Sequence, residues 1–313
     1  MTDAKVAIIT PSYRNDFDNA VDLCRSIDTF CQFDFEHLLI VPRSDLQMFK
    51  SLEGINRRVI ARESILRPHG FRRLPVPTII KLPFGKTLRL REQYYLPGVG
   101  RVSGWLVQQI VKICAGELTR ADIFIFADSD VFLVRPFTLA ALRSGDMLTL
   151  QQHVRGRDLD THRLWRRTAH RLLGIDRPRQ TDHFNYIGQL IPWDRATLDG
   201  LIRRIQSVNG PNWQRALAKA KTVSEYILYG EYVVEIAAVS EPRPIRDMKL
   251  ANSVWSPDAM IDVEAILAAM EPENIAVHIQ STNPLPIEKR RQAIATISDR
   301  LLGQQVPGLE EKA

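Results

Sequence analysis

Two aspartates two positions apart, Asp128 and Asp130, follow the apolar run Ile123-Phe-Ile-Phe-Ala127 and precede Val131-Phe-Leu133. Carboxylates this close in a poorly solvated place repel one another unless a cation or protons lie between them. Oxygen ligands suit Mg2+ or Mn2+, which commonly take one or two carboxylates together with substrate phosphates. The chemistry on offer is a divalent ion that holds a nucleotide diphosphate. The competing reading is a solvated strand-to-loop turn with Asp128 bonded to its own backbone. His278 lies near the end of a second short apolar run, Ile275-Ala-Val-His-Ile279. A neutral imidazole there suits a third metal ligand, and equally a core histidine satisfied by a backbone carbonyl. Glu225 is a candidate general base for an attacking hydroxyl. It also completes Thr222-x-x-Glu225, the pattern of a capping box in which the glutamate bonds back to the threonine N–H.

Elements must place these groups. A short, uninterrupted apolar run reads as a strand buried on both faces, and open α/β sheets bind ligands at the carboxyl ends of such strands. In a regular strand Asp128 and Asp130 point to one face; if the chain turns there, both can still converge on one ion. Upstream, Lys5–Thr10, His37–Val41 and Arg57–Ala61 read as strands, with a helix over Phe17–Phe30 and a short helix over Leu46–Leu52 capped by Ser44 or Asp45. That order implies a parallel sheet with right-handed crossovers. Ser103–Leu118 shows helical spacing at Leu106, Ile110, Ile113 and Cys114, with Gln108, Gln109 and Lys112 off that stripe or at its edge. Lys112 then belongs to a solvated helix face or reaches a phosphate.

Downstream, the pattern predicts a strand at Met147–Gln151, an arginine-rich helix at His162–Leu173 stopped by Gly174, and extended chain over Phe184–Pro192. A helix capped by Asp194 runs to Gln206, another starts at Thr222 and ends near Gly230, and Tyr232–Val239 reads as a strand. Glu241–Pro257 reads as a proline-rich loop, Asp262 as the cap of Val263–Met270, Ile275–Ile279 as a strand and Pro286 as the opening of a last helix. Leu66–Gly100, broken by five prolines, reads as a long loop region with a short strand at Thr78–Leu82. The expected architecture is α/β: one domain over residues 1–303 with a mostly parallel sheet flanked by helices, then a flexible tail over 304–313.

The composition, 45% hydrophobic and 25% charged over 313 residues, is that of a globular chain. No stretch approaches the ~18 apolar residues of a membrane span, and the N-terminus lacks the apolar core of a secretory signal. Cys24, Cys31 and Cys114 are odd in number and without metal-site spacing, so a reduced, cytoplasmic compartment is expected. The net charge of +6 is regional: Arg155–Arg179 holds eight arginines and three aspartates, a local +5. That cluster suits a diphosphate or anionic acceptor, an anionic membrane surface, or a solvated helix face. Trp165 among the arginines suits an interface, and peripheral contact at the inner face of the membrane is the expectation. A pI of 9.3 would also suit nucleic acid, but no reading motif or single-strand aromatic platform accompanies it, so no nucleic-acid partner is expected.

The order of these segments resembles the GT-A (Rossmann-like) type of nucleotide-sugar glycosyltransferase. The D-x-D of Phe126-Ala-Asp128-Ser-Asp130 after a parallel-sheet half carries the likeness. Three further segments are similar in order: Asp182-His-Phe-Asn185-Tyr-Ile-Gly188, Thr222-Val-Ser-Glu225 and Val277-His278-Ile-Gln-Ser-Thr. A bacterial GT-A-like group associated with surface polysaccharide is the nearest in kind. The likeness implies metal-dependent transfer of a sugar from a nucleotide-sugar donor to a glycan or lipid-linked acceptor. It further implies Mn2+ or Mg2+ held by Asp128, Asp130 and His278, with Pro11, Ser12, Tyr13, Lys112, Asp128 and Ser129 on the donor side. Glu225, with Asp182 or Glu231 in reserve, would be the base of an inverting enzyme. Read from their type alone, Trp193 and Trp255 suit packing anchors or an acceptor-side platform. A haloacid-dehalogenase-like phosphatase also sets D-x-D after a buried strand, but on an early strand and followed by threonine where this chain has Phe132. A nucleotidyltransferase would need a glycine-rich phosphate loop near the N-terminus, which is absent. A non-catalytic glycan- or nucleotide-binding protein with a relic site is the remaining alternative.

Overall fold

A computed structural model describes residues 4–76, 79–81, 87–89, 92–154, 156–179, 184–239, 242–254, 262–281 and 285–303. The strands that frame the site are β1 (Val6–Pro11), β2 (Phe35–Val41), β3 (Arg57–Ala61), β4 (Ile123–Phe126), β5 (Val131–Leu133), β6 (Ile191–Asp194), β7 (Ala251–Val254) and β8 (Ala276–Ile279). The helices around them are α1 (Phe17–Phe30), α2 (Gly104–Ile113), α3 (Ala115–Leu118), α4 (Asp160–Leu173), α5 (Arg195–Asn209), α6 (Trp213–Ala220), α7 (Glu225–Glu235), α8 (Val263–Ala268) and α9 (Ile287–Gly303).

The main sheet has the order β6-β4-β1-β2-β3, all parallel except β6, which runs antiparallel to β4. Every residue of β1 and β4 is buried, as their uninterrupted apolar runs require. Alternate side chains enter two different cores. Ala7, Ile9, Phe124 and Phe126 pack with α2, α5, α6 and α7, whereas Val6, Ile8, Ile123 and Ile125 pack on Leu23 and Ile27 of α1. A second sheet, β5-β8-β7, pairs β5 antiparallel and β7 parallel to β8. This is an α/β fold with mixed parallel and antiparallel sheets flanked by helices.

The apolar stretch read as one central strand is two. β4 ends at Phe126, residues 127–130 turn, and β5 joins the other sheet. Chain direction from β1 to β2 and β3 fills one side of the sheet, and β4 fills the other, so the strand order switches between β1 and β4. In open α/β sheets the crevice outside the strand ends at such a switch is the ligand site. The loops leaving it here are Ser12–Asp16 after β1 and Ala127–Asp130 after β4.

Several expectations are corrected. Tyr232–Val239 is not a strand: α7 runs on to Glu235. Every residue of α7 is buried, so the helix has no polar face and its sequence has no 3.6-residue period to betray it. Gly230 is where the ring of Tyr186 lies against that helix, leaving no room for a Cβ. Trp193 is no platform; it is buried, stacked on Tyr229 at 4.3 Å and edge-on to Phe126 at 4.6 Å. Trp165 faces inward, stacked on Trp105 at 5.4 Å and donating from Nε1 to Thr222 Oγ1 at 3.0 Å. Glu241–Pro257 contains β7 and a short strand, Ile245–Arg246, which pairs with Leu150–Gln151. Met147–Gln151 divides between two small sheets. The region Leu66–Gly100 contributes Arg72–Arg73 and Gln93–Leu96 to an antiparallel sheet with Gly100–Ser103, and Ile79–Lys81 pairs with Thr87–Arg89. Asp45 caps nothing; its carboxylate takes Arg14 N and Nε at 2.9 and 3.0 Å.

Other expectations stand. α1 spans Phe17–Phe30, Asp194 caps α5 through Thr197 N at 2.8 Å, and Asp262 caps α8 through Ala265 N at 3.0 Å. Gly174 closes α4 with φ +62, the left-handed conformation that glycine reaches without Cβ strain. The three cysteines are free. Among the described residues no helix is long and apolar enough to cross a membrane.

Candidate functional site

Asp130 and His278 are 148 positions apart in the chain, and β5–β8 pairing places Val131 opposite His278. His278 Nε2 lies 3.4 Å from Asp130 Oδ1, and the other carboxylate oxygen accepts Ser281 N at 2.8 Å. Both side chains are nearly buried. Asp16, at the end of the loop after β1, joins them: Ser129 Oγ donates to its Oδ2 at 3.5 Å, and Asp130 acts on it electrostatically. Burial, then the Asp130 charge, pushes the Asp16 carboxyl up to about 6, against the opposing pull of Ser129, Ser281 and Arg290. A carboxylate and an imidazole thus pair at the switch point, with a second carboxylate coupled to them electrostatically; oxygen and nitrogen donors of this kind suit a hard or borderline divalent ion, but the ligand atoms of the three do not all lie within 4.8 Å of one another. The Asp16 carboxyl therefore ionises at higher pH than an ordinary aspartate. The expected consequence is that Mn2+ affinity falls as pH drops through about 6, where Asp16 gains its proton. Titrations between pH 5 and 8 check this; a slope unchanged in Asp16→Asn would remove Asp16 from the ion's surroundings.

Asp128 has different neighbours. Its Oδ1 is 3.2 Å from Lys112 Nζ, and its Oδ2 accepts Gln189 Nε2 at 3.0 Å while its own N–H donates to Gln189 Oε1 at 3.1 Å. Burial alone would raise the Asp128 carboxyl, but Lys112, then Gln189, hold it below the usual range. Leu190, next to Gln189, has φ +59, a costly conformation for a branched side chain, and its burial in the core holds the turn that aims Gln189 at Asp128. Lys112 does not lie on a solvated face. It is 4% exposed, 3.0 Å from Glu225 Oε1, and donates to Tyr226 Oη at 3.0 Å. Burial would lower it, yet Asp128, Tyr226 and Glu225 together carry it well above the ordinary lysine value, so it is a fixed cation. Glu225, 1% exposed, is pushed up by burial despite Lys112.

Glu225 is also not part of a capping box. Ser224 caps α7 by accepting Ile227 N at 3.4 Å, and Thr222 is engaged by Trp165. Glu231, the reserve carboxylate, is committed to α4: Arg166 Nε and His170 Nε2 reach it at 3.1 and 2.6 Å. Pro11 and Ser12 are buried and Tyr13 is 44% exposed at the end of β1. Asp182, Arg155 and Trp255 lie outside the described residues. The groups missed in the sequence are Asp16, Gln189 and Ser281. Asp16 sits in the polar loop already noted after β1, so its signal was present; Gln189 and Ser281 had none, since each acts through one hydrogen bond made across the fold.

A second cluster lies elsewhere. Ligand atoms of His69, Cys114 and Glu117 all fall within 4.8 Å of one another, a group that could coordinate a metal ion.

The class defined by this fold and site is an α/β protein with an open mixed sheet and a carboxylate–imidazole centre at its switch point. The chain belongs to the family described as "Family of unknown function (DUF6492)", whose model matches residues 4–300. No curated protein matches it. Among solved structures it is similar to mouse xyloside xylosyltransferase 1 in its apo form, at 9% identity and a TM-score of 0.41, over 90% of this chain and 100% of that one.

Proposed function

We propose that the chain is a metal-dependent glycosyltransferase of the GT-A type, taking a nucleotide-sugar donor and a glycan or lipid-linked acceptor in bacterial surface polysaccharide synthesis. The observation that carries the reading is the pairing of Asp130 with His278, 3.4 Å apart at the carboxyl edge of the switch point, with Asp16 coupled to Asp130 electrostatically. In this reading Asp130 and His278 hold Mn2+ or Mg2+, with Asp128 directly or through water. The ion would neutralise charge on the leaving nucleoside diphosphate. Pro11, Ser12 and Tyr13 border the base and ribose, Ser129 lies beside the diphosphate, and Lys112 fixes Asp128 from behind. The acceptor hydroxyl attacks the anomeric carbon as its bond to the diphosphate breaks. If the reaction inverts that carbon, Glu225 is the candidate for the hydroxyl proton, which requires the Lys112–Glu225 cluster to open toward the acceptor, since Glu225 is 1% exposed in the closed arrangement. The test is thermal denaturation with nucleoside diphosphates, with and without Mn2+. A metal-dependent rise with one nucleotide identifies the donor base; no rise with any nucleotide, in a cooperatively melting protein, leaves a relic site.

The arginine cluster supports a further part of the reading, contact with an anionic membrane surface. α4 turns Arg166 and His170 inward to Glu231 and leaves Arg163, Arg167 and Arg171 on its outer stripe with Leu164 exposed among them. Each outer arginine adds ~1 kcal/mol near such a surface. Replacing all three with glutamate should weaken binding to vesicles of one-third anionic lipid by at least about 100-fold. Flotation that is equal for wild type and the triple variant, or equal on neutral lipid, would end this idea. Arg166 must be left intact, because its loss strands buried Glu231.

A further inference from the structure

His69 stands in the turn Arg67–His69, Cys114 caps the C-terminus of α2, and Glu117 lies on α3. His69 Nε2 is 3.1 Å from Glu117 Oε2 and 3.3 Å from the side-chain amide of Gln214 on α6. One imidazole nitrogen cannot satisfy both as drawn. With its proton it donates to the carboxylate but faces the amide N–H; without it, it accepts the amide but faces a carboxylate oxygen. Turning the Gln214 amide over, an assignment made by hydrogen-bond logic, removes the first conflict. It also sets an amide oxygen 3.3 Å from the His69 nitrogen, beside the group that His69 and Glu117 form with the buried Cys114 sulfur.

We propose that His69, Cys114 and Glu117 bind Zn2+, with the Gln214 amide oxygen or a water as the fourth ligand. A sulfur, a nitrogen and a carboxylate oxygen form a donor set for a borderline ion; Mg2+ and Mn2+ prefer oxygen. The site is separate from the Asp130–His278 centre and does not depend on the glycosyltransferase reading. Its role is structural. The ligands come from three segments separated by 45 residues (69 to 114) and 100 residues (114 to 214) of chain. The ion would clasp the turn at His69 to the α2–α3 junction and to α6. α2 carries Lys112, so the clasp braces the helix that fixes Asp128 and Glu225. Binding sends the Cys114 thiol proton to solvent as the sulfur–zinc bond forms, so affinity rises with pH.

The experiment loads chelator-stripped, full-length protein with Zn2+ against a chromophoric competitor, and in parallel with Co2+. Expected are one tight Zn2+ per chain and, with Co2+, a near-ultraviolet thiolate band with visible bands of tetrahedral cobalt. Cys114→Ser should abolish the thiolate band. Glu117→Gln, at a half-exposed position where folding is not at stake, should weaken Zn2+ by about 10- to 100-fold, using the loss typical of a disturbed site as a guide. Asp130→Ala should leave both readouts unchanged, which separates this site from the other centre. A folded wild type without the thiolate band, or a band that survives Cys114→Ser, overturns the proposal.

Discussion

Asp130→Ala should abolish metal-dependent nucleotide binding and sugar transfer while the protein still melts cooperatively. The Asp130 side chain accepts from Ser281 N, lies 3.4 Å from His278 and is coupled electrostatically to Asp16 and Arg290. Its removal also takes away the charge that pushes Asp16 up, so Asp16 ionises more easily and the apo protein is not destabilised by repulsion. The loss is therefore specific to ligands. At a nucleotide concentration near 100 times Kd, wild type gains about 2.7 kcal/mol with Mn2+, and the variant should gain none. Paired thermal melts measure the difference directly. A variant that keeps the Mn2+-dependent stabilisation would exclude Asp130 and His278 as the ion's holders, and with them the proposed mechanism.

Lys112→Met should destabilise the fold by about 3–5 kcal/mol, the usual result of removing one partner from a buried ion pair. Lys112 and Glu225 are 4% and 1% exposed, so solvent cannot replace the lost charge. Glu225 would then have to take a proton on folding, and the loss should shrink as pH falls, because folding no longer requires that proton to be drawn from a dilute supply. The double variant Lys112→Met, Glu225→Gln should recover part of the loss, since a neutral amide costs less to bury than an uncompensated carboxylate. Urea titrations at pH 5 and pH 8 check both statements. A single variant as stable as wild type would mean that water reaches this cluster and that Lys112 is not a fixed cation. The same titration bears on function. If Lys112 sets Asp128, its loss should also weaken nucleotide binding in the folded fraction.

Much of the frame is legible in local pattern. β1, β4 and β8 are short, mostly apolar runs buried on both faces, and β2 and β3 end in apolar residues that follow polar ones. α1 and α5 show a stripe at helical spacing, and α5 and α8 begin at aspartates that cap them. The arginines of α4 announce a helix with a charged face and a glycine stop. Asp128, Asp130 and His278 were recognisable because their chemistry is rare at the ends of buried strands. Where local pattern failed, the reason was also local: α7 is buried all round, and a helix without a polar side carries no period to read.

What residue order alone determined is most of the frame, the charge and the identity of the reactive groups. What only the tertiary structure decided is which of those groups share a space. Lys112 is a polar residue at the edge of an apolar stripe, and nothing near it in sequence says whether water or Glu225 and Asp128 lie opposite. Arg166 and Arg167 are adjacent arginines, yet one anchors α4 to Glu231 and the other faces solvent. Asp128 and Asp130 are two residues apart, yet the break between β4 and β5 sends them to different partners, a lysine and a histidine. In each case the deciding contact comes from a different element of the fold, and the energy of a charge depends on that contact far more than on its neighbours in the chain.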